Sequence, residues 1–318
     1  MRIVFLGSGE FGINCLDVII RSSHKLDLVV TQPASPAGRG RKPCSTPVAC
    51  WAQAHSIPFL ETDNVNTPEL FQKIADHRPD LILVIAFGQK VGNDLIKLPP
   101  KGAINVHASL LPKYRGAAPI NWVIINGEIQ TGISIITLAE KIDAGDILTQ
   151  EQTQIAPNET AGELHDHLAK LAAPLLIETL NQIEAGTATY TKQDHSKATL
   201  APKLKKADGF LDFTEPAELL AGKIRGFWPW PGASANYISH KTGKSTRATI
   251  AMAKIVGTSN PVHLPAGTLD DNLNVICGKD ALKIEKIKPA GSDLMTFKAF
   301  CNGRQTQPGD QFVKITEM

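Results

Sequence analysis

The chain has 318 residues, 42% hydrophobic and 20% charged, a balance that excludes a disordered or fibrous protein and suits about two globular domains. A net charge of +2 excludes binding of nucleic acid through bulk charge, so any basic surface must be local. No apolar stretch is long enough to span a bilayer, and Cys15, Cys44, Cys50, Cys277 and Cys301 form no C-x-x-C pair or zinc spacing, so they read as reduced thiols.

The first apolar run, residues 3–6, leads straight into Gly7 and Ser8. It reads as a strand, not as a secretory signal, and a cytoplasmic location is expected. Further strands are predicted over 28–31, 81–86, 103–106 and 133–138, with helices over 11–20, 47–55, 67–76 and 162–183. This alternation implies an α/β domain with a mainly parallel, Rossmann-like sheet covered on both faces, whose ligands sit beyond the carboxyl ends of the strands. The pattern stops after Gly186. Residues 190–207 are polar and rich in lysine, and read as a basic linker. A helix over 216–225 and β-like runs over 233–238, 248–256, 273–277 and 282–287 follow, punctuated by Gly and Pro. These suggest a smaller β-barrel, OB-like, so the expected domains are 1–189 and 208–318. His165 and His167, two apart on a predicted helix, point in different directions and make a poor metal pair.

Two motifs invite nucleotide readings. Gly7-Ser8-Gly9-Glu10-Phe11-Gly12 fits the dinucleotide fingerprint in the right strand-to-helix context. The acid that should end the second strand is missing, since Asp27 lies at that strand's start. A tight turn near a ligand is the better reading, with an NAD-dependent oxidoreductase as the alternative. Gly243-Lys244-Ser245 resembles the end of a P-loop, but Ile238 stands where a glycine is required, so it reads as a basic surface turn.

The most informative stretch runs from Ile104 to Ile120. Asn105 and His107 alternate onto one face at the exit of a predicted strand, where polar residues are unusual for a buried parallel sheet. By spacing alone a satisfied Asn and His at a strand end remains an equal reading. Ser109 has no base paired with it in sequence and reads as a turn-stabilising or substrate-contacting hydroxyl.

The run Ser109-Leu110-Leu111-Pro112 followed by Arg115-Gly116 resembles the signature of the folate-dependent formyltransferases, and Asp143-Ala144-Gly145-Asp146 resembles that family's second motif. The resemblance covers nearly the whole chain. It implies a catalytic trio of Asn105, His107 and Asp143, with no metal required. It also implies a site for 10-formyltetrahydrofolate along Phe87, Gly88, Gln89, Ser109, Leu110, Leu111, Pro112 and Gly116, with the turn at 85–89 and the Asp143 loop contributing backbone groups. The chemistry suits these residue types. An Asn amide can donate to the oxyanion of a tetrahedral intermediate, His can carry protons near neutral pH, and Asp can orient the imidazole and stabilise its charged form. One departure is Ala108, where the family usually has Gly, which raises the question of that turn's geometry.

The acceptor must be read elsewhere. No acid lies between Asp27 and Glu61, and that window holds Arg39, Arg41 and Lys42 in a Gly/Pro loop. The loop resembles the insertion with which the methionyl-tRNA branch of the family engages the acceptor stem. The segments 201–204 and 225–231 resemble that branch's second domain. Lys192, Lys197, Lys203, Lys205 and Lys206 in the linker, and Lys241, Lys244 and Arg247 beyond it, suit a polyanion. The expected partners are therefore initiator methionyl-tRNA and the folate, with Arg39, Arg41, Lys42, Lys203, Lys205 and Lys206 on the tRNA. Nothing marks an obligate dimer, so a monomer is expected. Trp228 and Trp230 could stack on RNA, but core packing beside their prolines is the preferred reading. The competitors are a formyltransferase acting on an amino-sugar nucleotide, echoed by Ile120-Asn121-Trp122, 63–66 and 231–233, and a non-catalytic RNA-binding module, which leaves the trio unexplained.

Overall fold

The computed structural model describes residues 1–37, 42–257 and 264–316. In chain order the first part comprises β1 (Arg2–Gly7), α1 (Ile13–Ile20), β2 (Lys25–Thr31), the hairpin strands β3 (Ser35–Ala37) and β4 (Lys42–Cys44), α2 (Pro47–Ala54), β5 (Phe59–Glu61), α3 (Pro68–Asp76), β6 (Leu81–Ile85), α4 (Asn93–Lys97), β7 (Ala103–His107), β8 (Arg115–Gly116), α5 (Pro119–Ile125), β9 (Gln130–Thr137), β10 (Ile147–Gln154), α6 (Ala161–Ala185) and β11 (Leu200–Ala201). Then come α7 (Ala217–Gly226), β12 (Ala233–Ile238), β13 (Ser245–Val256), β14 (Val275–Ile276), β15 (Ala281–Pro289), β16 (Met295–Thr296), α8 (Phe297–Arg304) and β17 (Gln311–Val313).

The chain divides into two compact units. The first holds Met1–Pro119, Gln130–Gln154 and His165–Pro202, and the second Ile120–Ile129, Ile155–Leu164 and Lys203–Met318. The first unit is built on a seven-stranded sheet in the order β10-β9-β7-β6-β1-β2-β5. Strands β5, β2, β1, β6 and β7 pair in parallel, while β9 and β10 are antiparallel to their neighbours. Burial explains the continuous apolar runs: Ile3, Val4, Phe5 and Leu6 are all fully buried, as strands covered on both faces must be. Helices α2 and α3 start where the sequence says they should. Thr46 and Thr67 each accept a hydrogen bond from the backbone N–H three residues on, and proline fills the first helical position. The long helix starts with a capping box: Thr160 Oγ1 accepts from Glu163 N, and Glu163 Oε2 accepts from Thr160 N at 2.9 Å.

The second unit carries a six-stranded antiparallel sheet in the order β14-β15-β13-β12-β17, with β16 beside β15. Residues 267–269 join its two edges. Gly267 N donates to Ile276 O and Phe312 N donates to Gly267 O, at 2.7 and 2.8 Å, so the sheet is a nearly closed barrel. The core inside it includes Leu220, Ile224, Tyr237, Ile250, Ile284, Phe300 and Phe312. The buried Tyr237 hydroxyl donates to the Asp310 carboxylate, which also accepts from His240 N at 2.7 Å.

Both expected architectures are therefore present, with additions. The additions are β3, β4, β5, α4, β8, α5, β10, β11, β16, α8 and β17; most are short, and β10 (ILTQEQTQ) is a largely exposed edge strand with little apolar periodicity. Residues 190–202, expected as linker, lie along the first unit. Thr191 bridges Ile147, and β11 pairs in parallel with β8.

Candidate active site

Three segments of the first unit meet at the carboxyl end of β7. The strand carries Asn105 and His107 on one face. The turn after it returns through β8, where Gly116 is held by pairing with Ala201. The loop between β9 and β10 brings Asp143, whose backbone is left-handed (φ 53°). The trio expected from sequence is thus assembled. Asp143 Oδ2 accepts from Gly116 N at 2.8 Å and lies 3.5 Å from His107 Nδ1. Its Oδ1 accepts from Asn105 Nδ2 at 3.4 Å.

The far side of the imidazole settles its tautomer. His107 Nε2 is 2.9 Å from the Tyr114 carbonyl oxygen, which can only accept, so Nε2 carries a proton and Nδ1 is the nitrogen left to exchange one. Both His107 and Asp143 side chains are nearly buried, at 6% and 10% exposure, which strengthens their mutual field. The Asn105 amide has two N–H groups and uses one on Asp143, so the other can serve a developing oxyanion.

The remaining residues expected at the site serve in different ways. Ser109 Oγ donates to Lys113 O at 2.8 Å, the turn-stabilising role. Leu110, Leu111 and Pro112 continue that turn, with the Leu111–Pro112 peptide cis. The turn is fastened from below by residues that spacing does not reveal. Ser134 Oγ donates to Ser109 O and accepts from Leu111 N and from Gln150 Nε2, all within 3.0 Å. A serine inside the apolar run of β9 was the one available hint. Ala108 is buried and its φ is not in the left-handed range, so no glycine is needed there.

In the 85–89 turn, Ala86 and Gly88 are left-handed and exposed, and Phe87 is buried. The Gln89 side chain accepts from Val65 N and donates to Thr62 O, both at 2.8 Å, so it ties two loops together. The backbone groups around Ala86 and Gly88 are exposed to a ligand. Packing explains two of the three glycines in 7–12: a Cβ on Gly7 would collide with the Ile85 carbonyl, and one on Gly12 would lie 2.9 Å from the Phe5 ring, while one on Gly9 would make ordinary contact with Ala86. Gly243 sits with φ 66° in the hairpin turn between β12 and β13, as the surface-turn reading required.

The basic residues divide by what can be described. Arg39 and Arg41 lie outside the described residues, and Lys42 contributes a backbone position in β4. Lys203, Lys205 and Lys206 are exposed on the second unit. Trp230 corrects the core-packing expectation: it is 56% exposed. Asn121, one of the residues echoing the sugar-nucleotide branch, donates to Gly226 O at 2.7 Å within the second unit, a packing role. No cluster of three or more potential metal ligands exists among the described residues, and no helix among them is long and apolar enough to cross a membrane.

Comparison with known proteins gives a consistent result. The formyl transferase profile matches residues 1–180, and that of the formyl transferase C-terminal domain matches 203–305. Methionyl-tRNA formyltransferase of Geobacter metallireducens is 39% identical over 309 residues, which is 97% of this chain and 97% of that protein. The protein of that name from Citrifermentans bemidjiense is 40% identical over 310 residues, 97% and 95% of the two chains. Among solved structures, WlaRD, a sugar 3N-formyl transferase determined with dTDP and 5-N-formyl-THF, superposes with a TM-score of 0.63 at 15% identity over 92% of this chain and 99% of its own. HypX from Aquifex aeolicus in complex with tetrahydrofolic acid gives 0.60 at 16% identity, over 100% and 51%. At those identities the two structures speak to the fold.

Proposed function

This chain belongs to the formyl transferase family, and from that premise we propose that it transfers the formyl group of 10-formyltetrahydrofolate to the α-amino group of initiator methionyl-tRNA. The observation that carries the reading is full-length likeness, in both family domains, to enzymes of that activity, combined with the Asn105, His107 and Asp143 constellation.

In the reaction the amine nitrogen attacks the formyl carbon, the carbonyl oxygen takes up negative charge, and the bond from carbon to N10 then breaks. In this reading the second N–H of Asn105 donates to that oxygen, an interaction of about 3 kcal/mol when lost from comparable sites. The amine must shed a proton and N10 must gain one. His107 Nδ1 is the exchanging nitrogen, because Nε2 is already committed to Tyr114 O. When Nδ1 is protonated, Asp143 Oδ2 faces it and stabilises the imidazolium. The folate lies along the backbone of the 86–88 turn, residues 109–112 and Gly116. Arg39, Arg41, Lys42, Lys203, Lys205 and Lys206 contact tRNA phosphates, which position the substrate without reading its bases. The reaction is placed in the cytoplasm, where its tRNA acceptor is used.

The test is a transfer assay offering methionyl-tRNA and a dTDP-linked amino sugar to the same enzyme with the same folate donor. Formylmethionyl-tRNA should dominate. Preferential formylation of the amino sugar would overturn the acceptor assignment and leave the reaction class standing.

A further inference from the structure

We propose that Gln193 is a positioning residue for formyl transfer, its side-chain amide fixing the loop that presents Asp143; this rests on the place given to Asp143 above. Gln193 is 6% exposed and its amide is fully used. Nε2 donates to the backbone carbonyls of Asp143 and Gly145, at 2.9 and 2.7 Å. Oε1 accepts from Nε and Nη2 of Arg115, at 3.2 and 2.6 Å. Carbonyls only accept and a guanidinium only donates, so the amide has one possible orientation, and a flipped amide would lose all four bonds.

The loop needs such a grip. Asp143 is held at φ 53°, a left-handed conformation that side-chain-bearing residues seldom adopt without support from their surroundings. At Gly145 a Cβ would collide with the Thr137 carbonyl, so the loop's second anchor point admits no other residue without a shift. It is also tied by the Asp143 carboxylate itself, by a reciprocal pair of bonds at its end, Asp146 N to Thr137 Oγ1 and Thr137 N to Asp146 O, both at 2.9 Å, and by an internal bond from Ala144 N to Lys141 O at 3.3 Å. Gln193, 50 residues away in sequence, therefore holds the backbone immediately behind the carboxylate. Through Arg115 it also holds the residue next to Gly116, whose N–H binds Asp143 Oδ2. One side chain thus spans the two segments whose separation sets the carboxylate's distance from His107. Arg115, conspicuous in the sequence motif, is a tie of this kind: its Nη2 contacts Gln193 and His195 Nδ1, at 2.6 and 2.9 Å.

Two variants separate positioning from bulk. Gln193→Met keeps length and removes every bond. Gln193→Glu keeps an oxygen for Arg115 but turns an acceptor toward the two loop carbonyls. With methionyl-tRNA and 10-formyltetrahydrofolate, both should show kcat lowered by about 10- to 100-fold, the effect of misplacing a catalytic group by an ångström, with KM for the folate within about threefold of native. In an Asp143→Asn background, adding Gln193→Met should slow the reaction by less than about threefold, because nothing is left to position. Should Gln193→Met fail to fold, Gln193→Glu carries the test. A Gln193 variant with kcat within threefold of native, beside a crippled Asp143→Asn, overturns this proposal alone, as do fully multiplicative losses in the double variant. A native rate for Asp143→Asn overturns the site reading and this inference with it.

Discussion

His107 is committed on one nitrogen to a backbone carbonyl, and that single bond decides which nitrogen can do chemistry. Burial decides chemical accessibility at the cysteines in the same way. Burial pushes the Cys15 and Cys277 thiols up to about 12 and raises that of Cys301, while Cys44 and Cys50 are exposed. Titration of the native protein with a thiol reagent at pH 8 is expected to modify Cys44 and Cys50 rapidly. Cys15, Cys277 and Cys301 should react only on denaturation, since the thiolate is the reactive form. Fast loss of all five thiols from folded protein would count against the described packing. The trio itself was legible in sequence because two polar residues at a strand exit interrupt an apolar pattern, and because its motifs resemble a known family. Ser134, Gln150 and Gln193 were not, because a side chain bonded to a distant backbone carbonyl leaves no periodic trace. Ala108 shows the converse: a departure visible in sequence that the backbone conformation makes harmless.

Among elements, the entry to α7 is pinned by Asp212. Hydrogen bonds from Thr214 and then Lys314 lower its carboxyl from 3.8 to about 2. A carboxyl depressed by folding contributes stability that is present above its unfolded value and lost as protons bind. The barrel unit is therefore expected to lose stability as pH falls from about 3.8 toward about 2 through this group. Asp212→Asn should be less stable at pH 7 and should lack this part of the acid dependence in urea unfolding followed from pH 7 to pH 2. An unchanged acid profile would remove Asp212 from that role. The parallel core strands were readable from burial-driven apolar runs, and α2 and α3 from their Thr-Pro starts. β10 and β17 were hidden because an edge strand that faces solvent, or spans three residues, carries too little pattern to separate from a loop. The Gly7–Gly12 turn looked like a dinucleotide motif for a related reason: close approach of a backbone at Gly7 and of an aromatic ring at Gly12 calls for glycine just as a cofactor would.

At the scale of the molecule, each unit has its own core, and family profiles match residues 1–180 and 203–305 separately. Residues 120–129 and 155–164 fold with the second unit, an exchange fixed by packing such as Asn121 on Gly226 and Gly162 N on Trp228 O, and invisible to a boundary read along the chain. What unites the molecule functionally is the claim that Asn105, His107 and Asp143 carry formyl transfer to methionyl-tRNA. The most direct measurement is the single-turnover rate of formylmethionyl-tRNA formation by the native chain and by Asn105→Ala, His107→Ala and Asp143→Asn, each first shown to melt within a few degrees of native. Each variant is expected to be slower by at least about 10²-fold, the scale of a lost oxyanion donor or proton carrier. A folded variant of any of the three with a rate within about threefold of native would contradict the claim.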